Sequence, residues 1–267
     1  MKKLWVVATL TAIALGGKGM AHEFWIDPTA FVIAPGAGIE AQLRVGTEFE
    51  GSAMSYLPRN FTRFDVVTGD QIRPAEGRLG NIPALDMADM AEGLAVVVHE
   101  TTQSRLTWSE WERFEAFVDH KDLGDIVALQ AARGLDQVDV REGYTRFAKS
   151  LIAVGDGAGE DRRMGLRTEI VALANPYTDD LGGVFPVQVW LDETPRADEQ
   201  VELFARAPDG TIAISYHRTD ADGIALLPVL PGHVYMADSV VLEPVTPVAA
   251  NDPEWVTLWA NLTFAVP

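Results

Sequence analysis

Residues 201–218 read VELFARAPDGTIAISYHR. Val201, Leu203 and Ala205 recur at every second position, the period that places side chains on one face of a strand. Pro208-Asp209-Gly210 then reverses the chain. Proline fixes φ, aspartate bonds its own backbone, and glycine takes the positive φ a tight turn needs. Thr211 to Arg218 runs back as the second arm of a β-hairpin. Upstream, Phe185, Val187, Val189 and Leu191 alternate in the same way. Downstream, Asp220-Ala221-Asp222-Gly223 turns into Ile224 to Val229, and Pro231-Gly232 turns into Val234 to Leu242. Short strands at this spacing predict a C-terminal antiparallel β-sandwich over residues 166–267, of prealbumin or immunoglobulin-like kind.

The preceding half is also strand-rich. Ile39, Ala41, Leu43 and Val45 alternate, and Phe61 to Val67 and Leu94 to His99 read as strands. A short helical segment follows: Ser109 and Glu112 have the spacing of a capping box, ahead of Trp111, Phe114 and Val118. Ile126 to Arg133 is a second helical stretch, stopped by Gly134. Arg141 to Val154 fits either period and stays open. Residues 22–154 are therefore expected to form a strand-rich α+β domain. The glycine-rich run GDGAGEDRRMG, residues 155–165, reads as a linker or long loop. The fold class is mostly β, and no solenoid repeat is present.

Composition narrows the function. The chain of 267 residues is 48% hydrophobic, enough for a large core. Lys plus Arg is 21 against 39 Asp plus Glu, a net charge of -18. That balance excludes nucleic acid as a partner and is repelled by anionic membrane surfaces. Cysteine is absent, which removes disulfides, thiolate metal sites and thiol catalysis together. Residues 1–21 have the form of a signal peptide. Lys2 and Lys3 precede a largely apolar run from Leu4 to Leu15, too short to span a bilayer, and Gly19 and Ala21 supply small residues at the cleavage site. The expectation is a periplasmic protein, not inserted in the membrane after cleavage, whose first residue is His22.

A free N-terminal histidine is a ready chelator. Its α-amino nitrogen and Nδ1 close a six-membered ring on one metal ion. A second imidazole would complete a histidine brace, a tetragonal nitrogen set suited to Cu(II). The α-amino pKa is ~8, so binding near neutral pH displaces one weakly held proton. His99, His120 and His233 are the candidates for the second ligand. His217 lies opposite the face of Ile212, Ile214 and Tyr216, and is expected at the surface. The zinc-hydrolase, nucleophile-elbow and phosphate-loop motifs are missing. Asp220 and Asp222 read as a turn rather than a calcium site, and the tryptophans read as core.

The order of motifs resembles a family of exported bacterial proteins catalogued as a domain of unknown function and often described as periplasmic nickel/cobalt-uptake components. His22-Glu23-Phe24-Trp25-Ile26-Asp27-Pro28 after a signal peptide is similar to the family's opening. Arg141-Glu142-Gly143-Tyr144-Thr145-Arg146-Phe147-Ala148-Lys149, Glu169-Ile170-Val171 and Asn175-Pro176-Tyr177 follow in order. Glu254-Trp255-Val256-Thr257-Leu258-Trp259-Ala260-Asn261-Leu262-Thr263-Phe264 is similar to a closing WESxWASLTF-like run, with Val256-Thr257 where Glu-Ser is usual. Asp238 to Leu242 has no histidine, where some members carry one, which leaves His22 as the main metal candidate.

The resemblance and the His22 chemistry together imply a protein that binds Cu(II), or Ni(II)/Co(II), for uptake or delivery. Its partners would be the metal ion and a membrane transporter or outer-membrane receptor. Two other classes compete. One is a non-catalytic scaffold whose sandwich binds a partner; the other is a copper-dependent oxidative enzyme of histidine-brace type.

Overall fold

A computed structural model describes residues 22–267; the expected signal peptide lies outside the described residues. The N-terminal half holds β1 (Glu23–Pro28), β2 (Val32–Ile33), β3 (Ile39–Thr47), β4 (Glu50–Met54), β5 (Phe61–Thr68), β6 (Gln71–Pro74), β7 (Leu85–Met87), β8 (Gly93–Thr101) and β9 (Ser104–Trp108). Helices α1 (Trp111–His120) and α2 (Ile126–Ala132) precede β10 (Val140–Val154). The rest comprises β11 (Thr168–Ala172), β12 (Val184–Leu191), β13 (Thr194–Pro195), β14 (Gln200–Arg206), β15 (Ile212–Arg218), β16 (Ile224–Pro228), β17 (His233–Pro244) and β18 (Trp255–Val266).

A ten-stranded sheet forms the middle layer, in the order β15-β14-β17-β18-β10-β8-β5-β6, with β2 and β9 added along β10. One face packs against β11, β12 and β16 through Phe147, Leu151, Leu203, Tyr235, Leu262 and Phe264. These strands make the expected C-terminal sandwich. The other face carries β1, β3, β4 and β7 over one half, through Phe24, Ile26, Val97 and Ile152. Over another part it carries α1 and α2, through Phe114, Phe117, Trp255 and Trp259. Both faces of β10 and β18 are therefore buried along most of their length.

That double burial explains the ambiguity of Arg141 to Val154. A strand covered on both faces has apolar residues at odd and even positions alike, and shows no period of two. Here it is one fifteen-residue strand. Helix α1 also differs from expectation. Glu110 stands at its N-cap without a side-chain bond, so the Ser109–Glu112 capping box is not formed. Gly134 does follow the C-cap of α2 with φ +64°. The turn at Pro208-Asp209-Gly210 closes the β14–β15 hairpin. Asp220 accepts from the N–H groups of Asp222 and Ile224, so its carboxylate is spent inside a turn.

The two halves expected on either side of residues 155–165 share the middle sheet, because β10 pairs in parallel with β18 from Glu142–Trp255 to Ser150–Thr263. The glycine-rich segment is fastened rather than free. Asn175 Nδ2 donates to the carbonyls of Gly157 and Gly159, and Tyr177 donates to that of Leu151. Lys149, fully buried, donates to Asp161 at 2.8 Å and to Glu169 at 3.0 Å. Glu169 in turn accepts from the N–H groups of Met164 and Leu166.

Breaking a buried ion pair strands a charge in low dielectric, at about 3–5 kcal/mol. Lys149→Met leaves two carboxylates behind and is expected to destabilise the protein by about that amount in urea unfolding. It should also open residues 155–165 to protease, whereas the native chain should be cut first in the loop around Val248, the most exposed large apolar residue of the core-forming types. A native-like midpoint in the variant would show that the lysine is not the fastener.

Candidate functional site

β1 is buried from its first residue. It pairs with β3 in the register Glu23–Gly46 to Pro28–Ala41, and Trp25 and Ile26 are fully covered. His22, immediately before it, is exposed. Its carbonyl oxygen accepts from Arg146 Nη2 at 3.0 Å, which ties the end of the strand to β10. The guanidinium of Arg146 lies over the ring of Tyr144 at 4.6 Å.

His22 borders a cleft of about 270 Å³. The lining follows from strand alternation. Glu142, Tyr144 and Arg146 point the same way from β10, and the parallel register sets Tyr144 beside Thr257 and Arg146 beside Trp259. Leu106 and Trp108 come from β9, and Arg113 from α1. Trp108, Phe117 and Trp259 stack in series, with centroids 5.4 and 5.6 Å apart and planes within 14°. At the floor, buried Glu142 accepts from Trp108 Nε1 at 2.6 Å and from the hydroxyl of Thr257. Thr257 accepts from Trp259 Nε1 at 3.0 Å. Burial pushes the Glu142 carboxyl upward, with the Thr257 and Trp108 bonds opposing it.

Behind β1 lies a second polar cluster. The ladders place Glu202, Asp238 and Asn261 side by side on three neighbouring strands. Lys121, at the end of α1, donates to Glu23 at 3.0 Å, Glu202 at 2.5 Å and Asp238 at 3.0 Å. Its ammonium also faces the Trp259 ring at 5.1 Å. Burial pushes Glu23 up to about 7 and raises Asp238 as well, against the pull of Lys121. Burial would also raise Glu202, but hydrogen bonds from His120 and Lys121 bring it below its ordinary value. This cluster was not legible in the sequence: its members come from five elements, united by the sheet register and by the packing of α1 and β1.

The three histidines considered as second ligands occupy separate environments. His120 Nε2 stands 3.3 Å from Glu202. His233 Nδ1 bonds the carbonyl of Pro231 at 3.0 Å. His99 is 2% exposed among the rings of Phe24, Phe61 and Phe64, and neither ring nitrogen has a partner among the described residues. His217 is only partly exposed and bonds Ser215 at 2.8 Å, while Tyr216 on the other face is the more open of the two. Among the described residues, no group of three histidine, aspartate or glutamate side chains is arranged to hold a metal.

Burial alone lowers the His99 pKa from 6.5 to about 3. Between those values the unfolded chain takes a proton that the folded chain refuses. The contribution to stability is complete above about pH 6.5 and is lost as pH falls toward 3. His99→Phe removes this linkage along with the unpaired nitrogens. Its stability should fall less steeply than the native protein's between pH 6 and 4, read from urea midpoints, with metal affinity unchanged. A parallel pH dependence would place the acid sensitivity elsewhere.

Comparison with known proteins adds the following. The cell division protein FtsZ from two strains of Caulobacter vibrioides is 27% identical over 159 residues, covering 50% of this chain and 31% of theirs. The chain thus spans less than a third of the length of the curated relatives it matches. A crystal structure of a tetra-tandem repeat in the extending region of a large adhesion protein aligns with 92% of this chain and 50% of that one, at 11% identity and a TM-score of 0.20. The model of the family described as "Domain of unknown function (DUF4198)" matches residues 19–243, from just before β1 to the end of β17, and the chain belongs to that family.

Proposed function

We propose that this is an exported, periplasmic protein that binds a transition metal for uptake or delivery, with His22 as the chelating residue. The observation that carries the reading is the position of residue 22. It is exposed at the head of a strand that is buried from Glu23 onward, so cleavage after Ala21 leaves a free amine and an imidazole on a rigid support. Arg146 fixes the carbonyl of the same residue, which limits the orientations open to the chelate. A flexible terminus would lose more conformational entropy on binding the metal.

The donor set fits a two-nitrogen chelate. The second imidazole of a brace is not supplied by His99, His120 or His233 in the arrangement described, so the remaining positions on the ion fall to solvent, a small ligand or a partner protein. Open positions suit a carrier that must release its cargo, and this places delivery ahead of oxidative catalysis. Nitrogen ligation favours Cu(II); the family's usual description favours Ni(II) or Co(II). A membrane transporter or an outer-membrane receptor is the partner such a carrier requires.

Intact-mass measurement of the exported protein is expected to show His22 as the first residue. Calorimetric titration with Cu(II) and Ni(II) then tests the site. One residue added before His22 turns the amine into an amide, and His22→Ala removes the ring. Each should weaken binding at least on the order of 10–100-fold, the loss that even an outer-shell partner produces. Equal affinities for the three proteins, falling together with added salt, would mean that the acidic surface merely collects cations.

A further inference from the structure

The cleft beside His22 gathers two arginines in an otherwise acidic molecule. Arg113 and Arg146 both open onto it, in a chain of net charge -18. Arg146 uses one Nη2 proton on the His22 carbonyl, while its Nε is buried with no hydrogen-bond partner among the described residues. Its Nη1 makes no hydrogen bond among the described residues and is not enclosed, so it is the donor Arg146 can offer an acceptor in the cleft. Arg113 stands at the rim, half exposed, with its Nε paired to Glu110 at 2.8 Å. The one carboxylate on the floor, Glu142, is already occupied by Trp108 and Thr257. The remaining wall combines the rings of Trp108, Tyr144 and Trp259 with Leu106, Thr107 and Ser109.

We propose that this cleft binds a small organic carboxylate, its anionic end paired with Arg146 and Arg113 and its body against Tyr144 and Trp259. Guanidinium is the side chain that meets a carboxylate with parallel N–H groups, and it keeps its charge when partly buried. The space of about 270 Å³ is at the small end of ligand pockets, which restricts the occupant to a compact acid. The anion site stands on the arginines alone. Its link to the metal rests on the reading of His22 given above. A bare divalent cation at His22 is repelled by two guanidiniums, and a carboxylate that pairs them removes the repulsion. Metal and carboxylate should then raise each other's affinity by the same factor.

Benzoate and succinate are the probes, titrated by calorimetry into metal-free protein beginning at His22, with inorganic phosphate run alongside. Saturable binding of at least one carboxylate is expected. Arg113→Gln should weaken it on the order of tenfold, and Arg146→Gln further, from the loss of charge-assisted hydrogen bonds. Arg146→Lys should restore it only in part, since an ammonium cannot present two parallel donors. Arg113 lies on an exposed helix face, so its effect is separable from folding, and melting curves monitor each variant. No carboxylate binding, undiminished binding by both arginine variants, or phosphate bound as tightly as either carboxylate overturns the proposal. In the metal arm, the carboxylate should tighten Cu(II) binding to the native protein and lose that effect in Arg113→Gln. If Cu(II) affinity ignores a residue added before His22, the metal reading fails, while the anion site is judged only on the arginine variants in metal-free protein.

Discussion

The parallel pairing of β10 with β18 at the centre of the ten-stranded sheet is the constraint from which the rest follows. One strand comes from the middle of the chain and the other from near its C-terminal end, and both are covered on both faces along most of their length. A strand in that position has no solvent-facing side, so each polar group on it must find a partner inside the protein. Lys149 meets this demand on one face with Asp161 and Glu169. On the other face Glu142 does so with Trp108 and Thr257. Hydrophobic burial supplies most of the stability of such a sheet, while the buried polar groups set where its coverings dock.

The polar residues along these strands acquire physical meaning in this setting. Glu169, Asn175 and Tyr177 hold the segment 155–165 against β10, and Lys149 joins them from the strand itself. These are fasteners. Tyr144, Arg146, Thr257 and Trp259 stand on the opposite face, where α1 and β1 leave a gap. That gap is the cleft. The same pair of strands thus closes the core on one side and opens a site on the other, because the covering on the second face is made of two separate pieces.

The start of β1 is placed by the same sheet. Lys121 draws Glu23 into a buried cluster with Glu202 and Asp238, Thr263 donates to the carbonyl of Ile26, and Arg146 holds the carbonyl of His22. Three interactions from α1, β18 and β10 therefore fix residues 22–26, immediately after the expected cleavage point. Burial of Glu23 carries a desolvation cost, offset by Lys121, and the Glu23 carboxyl keeps a raised affinity for a proton as a result.

Local chemistry was readable without a structure. The hairpin at Pro208-Asp209-Gly210, the alternation of Ile39, Ala41 and Leu43, and the two helices all depend on residues close in sequence. Turns, periodicity and export signals act within a few residues. Three expectations met a different outcome or none. The capping box at Ser109 gave way to Glu110 as N-cap. Arg141 to Val154 had no readable period, and the glycine-rich segment read as a linker or long loop without sign of what holds it. In the last two, long-range contacts decided: a partner strand more than a hundred residues away covers β10, and Asn175 and Lys149 tie down the glycines. The sequence by itself determined the β class and the hairpins, and it suggested a terminus at His22. Only the tertiary structure decided that Arg146, Arg113 and Trp259 surround that residue, because the register of a parallel pair is fixed by packing on both its faces and leaves no local mark in the chain.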